Sequence, residues 1–361
     1  MATDELHSID LDLAPNEASG LLTVANHELM LAHDWDRAFW VVLDEGAVEH
    51  SVAAIGHAGG ADIRHGWSIE RLHAEVSSER VKTEDAEAIA RHDGWVYVFG
   101  SQFGRKDGPL QPKRAFVARF REPDLRHVRH EPAAPLAVAR PAFLLHRLVN
   151  DALRAGTTEP VRLGPLSQHA LIDATREQGT EERRLVRTDD LPINVEGAAF
   201  RDDGSLLLGL RYPTAADGRP LLVDLDGIGR LFAPGSGAPE VRGVWALDAV
   251  GRGGRMAGVR DLALHDGELH VVTGNIDARE KGSVLLEDHP EGRDTTATHW
   301  RCRMPEGRRS GEAAAERVRE FPDLPAIEGV EVAADRRVFY VSDEDEGVVV
   351  KHTELLVSGA G

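Results

Sequence analysis

The sequence predicts an all-β fold: a single β-propeller domain over 1–361 with five blades favoured and six as the alternative. An N-terminal strand closes the ring, and a helical insertion lies near 140–185. Three observations carry this reading. A unit made of an acidic residue, an apolar run, a polar turn and a second β-branched or aromatic run occurs five times, with arginine in the acid's place in one copy. The turns between paired runs include Asp-Gly dipeptides, the strongest short-range hairpin signal. The recurrence interval, near 60 residues, fits a four-stranded blade and closes on itself across the two termini.

The units read ELMLAHDWDRAFWVVLDE from Glu28, EAIARHDGWVYVFGSQ from Glu87, EGAAFRDDGSLLLGLR from Glu196, RDLALHDGELHVVTGN from Arg260 and EGVEVAADRRVFYVSDED from Glu328. The first aligns without gaps onto the last at an offset of 300, matching Arg37 with Arg337, Phe39 with Phe339 and Val41 with Val341. Asp93-Gly94, Asp203-Gly204 and Asp266-Gly267 mark hairpin turns. Third strands are expected at 115–120, 220–225, 283–287 and 348–350, and the segment 7–13 is expected to complete the last sheet.

The unit starts are separated by 59, 109, 64 and 68 residues. The long interval holds either an extra blade or an insertion. Within 141–156, Phe143, Leu144, Leu145, Leu148, Val149, Ala152 and Leu153 recur at helical spacing, and Gly156 is placed to end the helix. A second helix is expected over 167–178 with Ser167 as its N-cap. Two inserted helices therefore favour five blades.

Lys+Arg total 42 against 61 Asp+Glu, a formal charge of −19, which argues against nucleic acid or an anionic membrane as partner. The single cysteine, Cys302, excludes an internal disulfide framework and a Cys-rich zinc site. Segment 1–15 is acidic and lacks the basic start and apolar core of a signal peptide, so a cytoplasmic location is expected. No Gly-rich phosphate loop or βαβ alternation is present.

INVEGAAF with LLLGLRYP (193–213), GVRDLAL (258–264), DAEAIA with VYVFGSQ, and IEGVEV with VSDED resemble an uncharacterised bacterial domain-of-unknown-function family of predicted β-propellers, in order over about 20–350. That resemblance implies the fold and no reaction. The chain departs from the family pattern at Glu87-Ala88, where Glu-Gly is expected. It is also distantly similar to the calcium-dependent lactonase and gluconolactonase propellers, in which a glutamate of an EG dipeptide begins the metal-bearing blade.

Equivalent positions on the innermost strands of a propeller face one another around the axis. Glu28, Glu87, Glu196 and Glu328, with Arg260 as fifth member, are thus the expected channel ring. Four carboxylates in one low-dielectric channel need compensation. Arg260, with Arg211, supplies it in a salt-bridge ring, the favoured reading. The alternative is Ca²⁺ held by Glu28, Glu87, Glu196 and Glu328, able to polarise an ester or lactone carbonyl. His27 and the pair Asp343/Asp345 are candidate proton carriers, and Asp261 is a further candidate beside Arg260.

Other chemistry is weaker. His57/His65 and His127/His130 lack metal-ligand spacing, Ser101, Ser167 and Ser342 lack a nucleophile-elbow context, and the run 342–347 lacks calcium-loop spacing. Two functions follow: a binding scaffold for a protein or small ligand, or a divalent-metal-dependent hydrolase of esterase, lactonase or phosphoesterase type working in the channel.

Overall fold

A computed structural model describes residues 6–13, 17–76, 82–130, 132–233, 235–248, 255–278, 282–305, 310–324, 326–344 and 347–354. After β1 (His7–Leu11), the strands β2 (Ala18–Thr23), β3 (Trp35–Leu43), β4 (Val52–Ala58) and β5 (Trp67–Arg71) form one antiparallel sheet in chain order. β6 (Ala74–Val76) edges a second sheet through a parallel pair with β10 (Ala134–Ala139), followed by β9 (Val117–Arg121), β8 (Trp95–Gly100) and β7 (Ala86–His92).

The third sheet has eight strands in two antiparallel halves. One half is β11 (Asn194–Phe200), β12 (Leu206–Tyr212), β13 (Leu221–Asp226) and β14 (Glu240–Asp248). The other is β15 (Gly258–His265), β16 (Glu268–Gly274), β17 (Ala297–Cys302) and β18 (Gly311–Phe321), joined to the first by the parallel pair β14/β18. The fourth sheet holds β19 (Ile327–Val332), β20 (Arg337–Glu344) and β21 (Gly347–Glu354), with β1 as its outer strand, His7 opposite His352 and Leu11 opposite Val348. The strands β2, β7, β11, β15 and β19 contact one another in that order, and β19 returns to β2. The architecture is all-β and propeller-like.

The turn chemistry explains two of the hairpins. At Asp93-Gly94 and Asp266-Gly267 both residues take positive φ, as the two-residue turns that match strand twist require. Apolar faces then bury between sheets. Trp40 of β3 meets Phe120 of β9 edge-on, with ring centroids 5.4 Å apart, in a core shared by the first two sheets. The glycines of the EG dipeptides serve close approach. A Cβ on Gly197 would stand 3.0 Å from the Leu262 nitrogen of β15 and 2.8 Å from Leu262 Cγ. Gly197→Ala should therefore destabilise by about 1–3 kcal/mol through overpacking at backbone that cannot yield. Urea unfolding reads this directly, and an unchanged midpoint would show that the strands can part.

Helices occupy the long interval. α1 (His27–Ala32) separates β2 from β3. α2 (Leu144–Ala155) ends at Gly156 as expected and packs Leu145, Val149 and Leu153 into the core of the β11–β14 half-sheet. Between β10 and β11 the described residues form helices and no named strand. Asp190, fully buried, holds α2 in place: it accepts from Arg147 Nη1 at 2.8 Å and from Arg154 Nη2 at 2.6 Å, with His146 Nε2 at 3.2 Å.

Three local expectations change. Residues 283–287 are not a strand: Ser283 caps the short helix Val284–Asp288 by accepting from the Leu286 N–H, and β17 supplies the third strand of that half-sheet. Ser167 is not an N-cap either. The helical stretch starts at Pro165, passes through a π-helical segment Gln168–Asp173 and ends at Glu177. Asp288 accepts from the Ser167 N–H at 2.7 Å, the role given to a local side chain. The unit from Glu28 is not a hairpin, because its first residues are α1. Among the described residues no helix is long and apolar enough to cross a membrane.

A buried chain of polar groups joins the last two strand groups. His270 Nδ1 and His299 Nε2 are 2.9 Å apart, and His299 Nδ1 is 2.8 Å from the Tyr340 hydroxyl. Burial holds His270 down at about 4 and His299 well below the ordinary value. Unfolded imidazoles protonate near pH 6.5 and these do not, so their stabilisation is complete above that pH and declines as pH falls below it. His299→Phe should thus cost less at pH 5 than at pH 8, by about 1.4 kcal/mol per pH unit below 6.5. Urea unfolding of both proteins at the two pH values measures the difference, and a pH-independent gap would contradict a neutral His299.

Candidate functional site

Each of β2, β7, β11, β15 and β19 slips register by one residue at its entry end, a β-bulge that re-aims a side chain. The positions that the strand register skips are Gly20, Glu87, Glu196, Arg260 and Glu328. Four of the five expected ring positions are therefore structurally equivalent. The fifth is Gly20, not Glu28. Glu28 lies in the first turn of α1, exposed, 3.1 Å from exposed Arg126. His27, the first residue of α1, is exposed as well.

Around the ring, Arg260 stands between its two neighbours. Its Nε is 3.2 Å from Glu196 Oε2, and its Nη2 contacts Glu328 Oε1. Glu196 and Glu328 are buried, and Arg260 is 8 % exposed. Arg211, at the end of β12, adds a second guanidinium: Nη1 donates to Glu196 Oε1 at 2.5 Å and Nε to the Asn275 carbonyl at 3.1 Å. Asn194 donates to the same Glu196 oxygen at 3.3 Å. The favoured salt-bridge pairing is what these distances describe for Glu196, Arg260 and Glu328.

Glu87 differs. Among the described residues its carboxylate makes no ion pair, and its Oε2 accepts from the Ser19 hydroxyl at 3.1 Å. It is partly exposed. Burial, together with the charges of Asp85, Glu196 and Asp44, pushes its carboxyl well above the usual range despite the field of Arg211. Asp85, in left-handed backbone at φ 68°, accepts from the Ser101 hydroxyl and pairs with Arg114 Nη1 at 3.0 Å. Burial raises it too.

Asp261 does not belong to the ring. It is fully buried and reaches across to two other strands, its Oδ2 accepting from the Val330 N–H at 2.8 Å and the Leu21 N–H at 3.3 Å. Burial holds it well above the usual carboxylate range. Asp343 lies in β20, its backbone opposite Val348, with its side chain outside the described residues; Asp345 lies outside them altogether. Asp85, Ser19 and Asn194 escaped the sequence reading. Asp85 carried one signal, an acid directly before a strand and two residues ahead of the repeated glutamate.

The residues do not fit a Ca²⁺ ligand set. Of the four glutamates assigned to it, Glu28 is on the surface, and Glu196 and Glu328 each already pair with a guanidinium that would repel a cation. Among the described residues no group of three or more His, Cys, Asp and Glu side chains converges as a metal site would need.

No family model matches the chain, and no curated protein matches it. Solved structures show remote likeness. The extracellular domain of a putative one component system from B. thetaiotaomicron is 8 % identical with a TM-score of 0.32, covering 95 % of this chain, which spans 39 % of that one. Xyloglucan PUL GH43B of Bacteroides ovatus is 11 % identical with a TM-score of 0.43, covering 99 % of this chain and 55 % of its own. A putative gluconolactonase is 10 % identical with a TM-score of 0.34, covering 98 % and 93 %. At these values the fold rests on the strand pairing described above.

Proposed function

We propose that the chain is a five-bladed propeller domain that binds a small polar ligand at the entry mouth of its axial channel, with Glu87 as the principal contact. The blade count is supported by the five strand groups, the five equivalent bulges and the helices that fill the long interval. The binding role rests on one observation. Glu87 is the ring carboxyl that no arginine neutralises among the described residues, and it is partly exposed with its pKa raised. A protonated carboxyl there donates to an acceptor oxygen, while the Arg211 and Arg260 pairs hold the rim rigid. The net charge of −19 disfavours nucleic acid and anionic membrane surfaces as partners.

A thermal-shift screen of small polar compounds at pH 6 tests this reading. Compounds that raise the melting temperature should lose their effect in Glu87→Ala, since a ligand of the native state stabilises it by mass action. Hits indifferent to that change would sink the proposal. A metal-free hydrolase is the second reading, favoured by Glu87 being pushed toward its acid form beside a Glu196 clamped by two guanidiniums, a separation of roles typical of acid–base sites. Glu87→Gln separates the two: ester, lactone or phosphoester turnover that survives chelator and disappears in the variant marks an enzyme.

A further inference from the structure

The opposite end of the same five strands encloses a cavity of about 300 Å³ whose polar lining includes Thr23, Arg91, His265 and Glu331. Ile89, Leu262 and Phe200 supply apolar wall. The volume is at the small end of ligand sites, which are mostly apolar with a few placed polar groups.

Arg91 is held from one side only. Its Nη1 donates to the Thr23 carbonyl at 2.5 Å and lies 3.5 Å from Glu122 Oε2. Glu122 is itself fixed by the Ala25 N–H at 2.8 Å and the Trp40 indole N–H at 2.9 Å. Among the described residues, the Nε and Nη2 of Arg91 have no partner, although these two donors form the edge that matches a carboxylate. We propose that this cavity binds a small organic carboxylate, held in two-point contact by the open Nε/Nη2 edge of Arg91, with its apolar body against Ile89, Leu262 and Phe200.

The one acid in the lining does not oppose this. Glu331 has both oxygens occupied, Oε2 by the Thr23 N–H at 3.0 Å and Oε1 by the Val332 N–H at 3.0 Å. Burial lifts its pKa to about 7, so it is mostly uncharged at pH 6. His265 Nε2 lies 3.4 Å from Oδ2 of exposed Asp266. This site is separate from the ring at the entry mouth and stands whether or not Glu87 binds a ligand.

The experiment is titration of the full chain at pH 6 with acetate, butyrate and benzoate, followed by calorimetry and by the imidazole signals of His265, assigned with His265→Gln. At least one carboxylate should bind at one per chain and move His265. Benzoate should bind at least tenfold tighter than the neutral isostere benzamide, and Arg91→Met should weaken benzoate at least tenfold. Where Arg91→Met fails to fold, Arg91→Lys keeps a cation for the Thr23 carbonyl and removes the fork, and should abolish the preference for benzoate over benzamide. Absence of binding by all three acids overturns the proposal. So does equal affinity for benzoate and benzamide in the wild type, binding that leaves His265 unmoved, or benzoate affinity unaffected by the Arg91 changes.

Discussion

Arg260→Met is expected to cost about 3–5 kcal/mol, the usual effect of removing one partner from buried ion pairs. That is at least about a fifth of the stability of an ordinary domain, about 5–15 kcal/mol. The effect is large because one guanidinium serves two buried carboxylates on flanking strands, Glu196 and Glu328. Methionine fills much of the stem's volume, so the loss reads as electrostatic rather than as a cavity. Adding Glu328→Gln to Arg260→Met should recover part of it, because the stranded Glu328 charge is gone while Glu196 keeps Arg211. Urea unfolding of both single variants, the double variant and the wild type gives the coupling. A cost under about 1 kcal/mol for Arg260→Met would mean that the pairs behave like solvent-exposed ones.

The second large effect is at Asp261. Asp261→Ala removes the acceptor for the N–H groups of Leu21 and Val330 on two other strands, and should cost about 2–6 kcal/mol, since each stranded donor loses about 1–3 kcal/mol. Asp261→Asn keeps an acceptor oxygen and should fold nearly as well at acid pH. The sign of its pH dependence follows from the raised pKa. The folded state holds the Asp261 proton to higher pH than the unfolded state does, so that stabilisation is lost as pH rises from about 4 through the folded pKa. Asparagine carries no such loss. Its stability relative to wild type should improve with pH, by up to about 1.4 kcal/mol per unit over that window. Chemical unfolding at pH 5 and pH 8 decides it, and an alanine variant no worse than asparagine would contradict the clamp.

How much of this was legible depended on whether the signal was local. The hairpins at Asp93-Gly94 and Asp266-Gly267 were, because positive φ at both turn residues demands that chemistry. The equivalence of Glu87, Glu196, Arg260 and Glu328 was also legible, since each is followed six or seven residues on by a turn and then a second strand. Glu28 was misplaced for a definite reason. The offset of 300 is correct for β3 and β20, where Arg37, Phe39 and Val41 match Arg337, Phe339 and Val341 in strand, but α1 intervenes before β3. The equivalent strand, β2, lies further back and carries a glycine at the bulge, so no repeated acid was there to find. The 283–287 run failed because three apolar residues behind a serine suit a capped helix as well as a strand. Arg91, Glu122 and Glu331 form contacts between distant strands, and nothing in their local sequence announces the partners.

The ring splits into an arginine-paired side, Glu196–Arg260–Glu328, and one acid with no ion pair among the described residues, Glu87. Carboxyl ¹³C NMR of glutamate-labelled protein, with Glu87 assigned from Glu87→Gln, tests it most directly. Glu87 should titrate well above the ordinary glutamate value of about 4.3. A Glu87 signal that titrates at or below that ordinary value would show that a cation compensates it, and would contradict both the ring and the ligand site built on it.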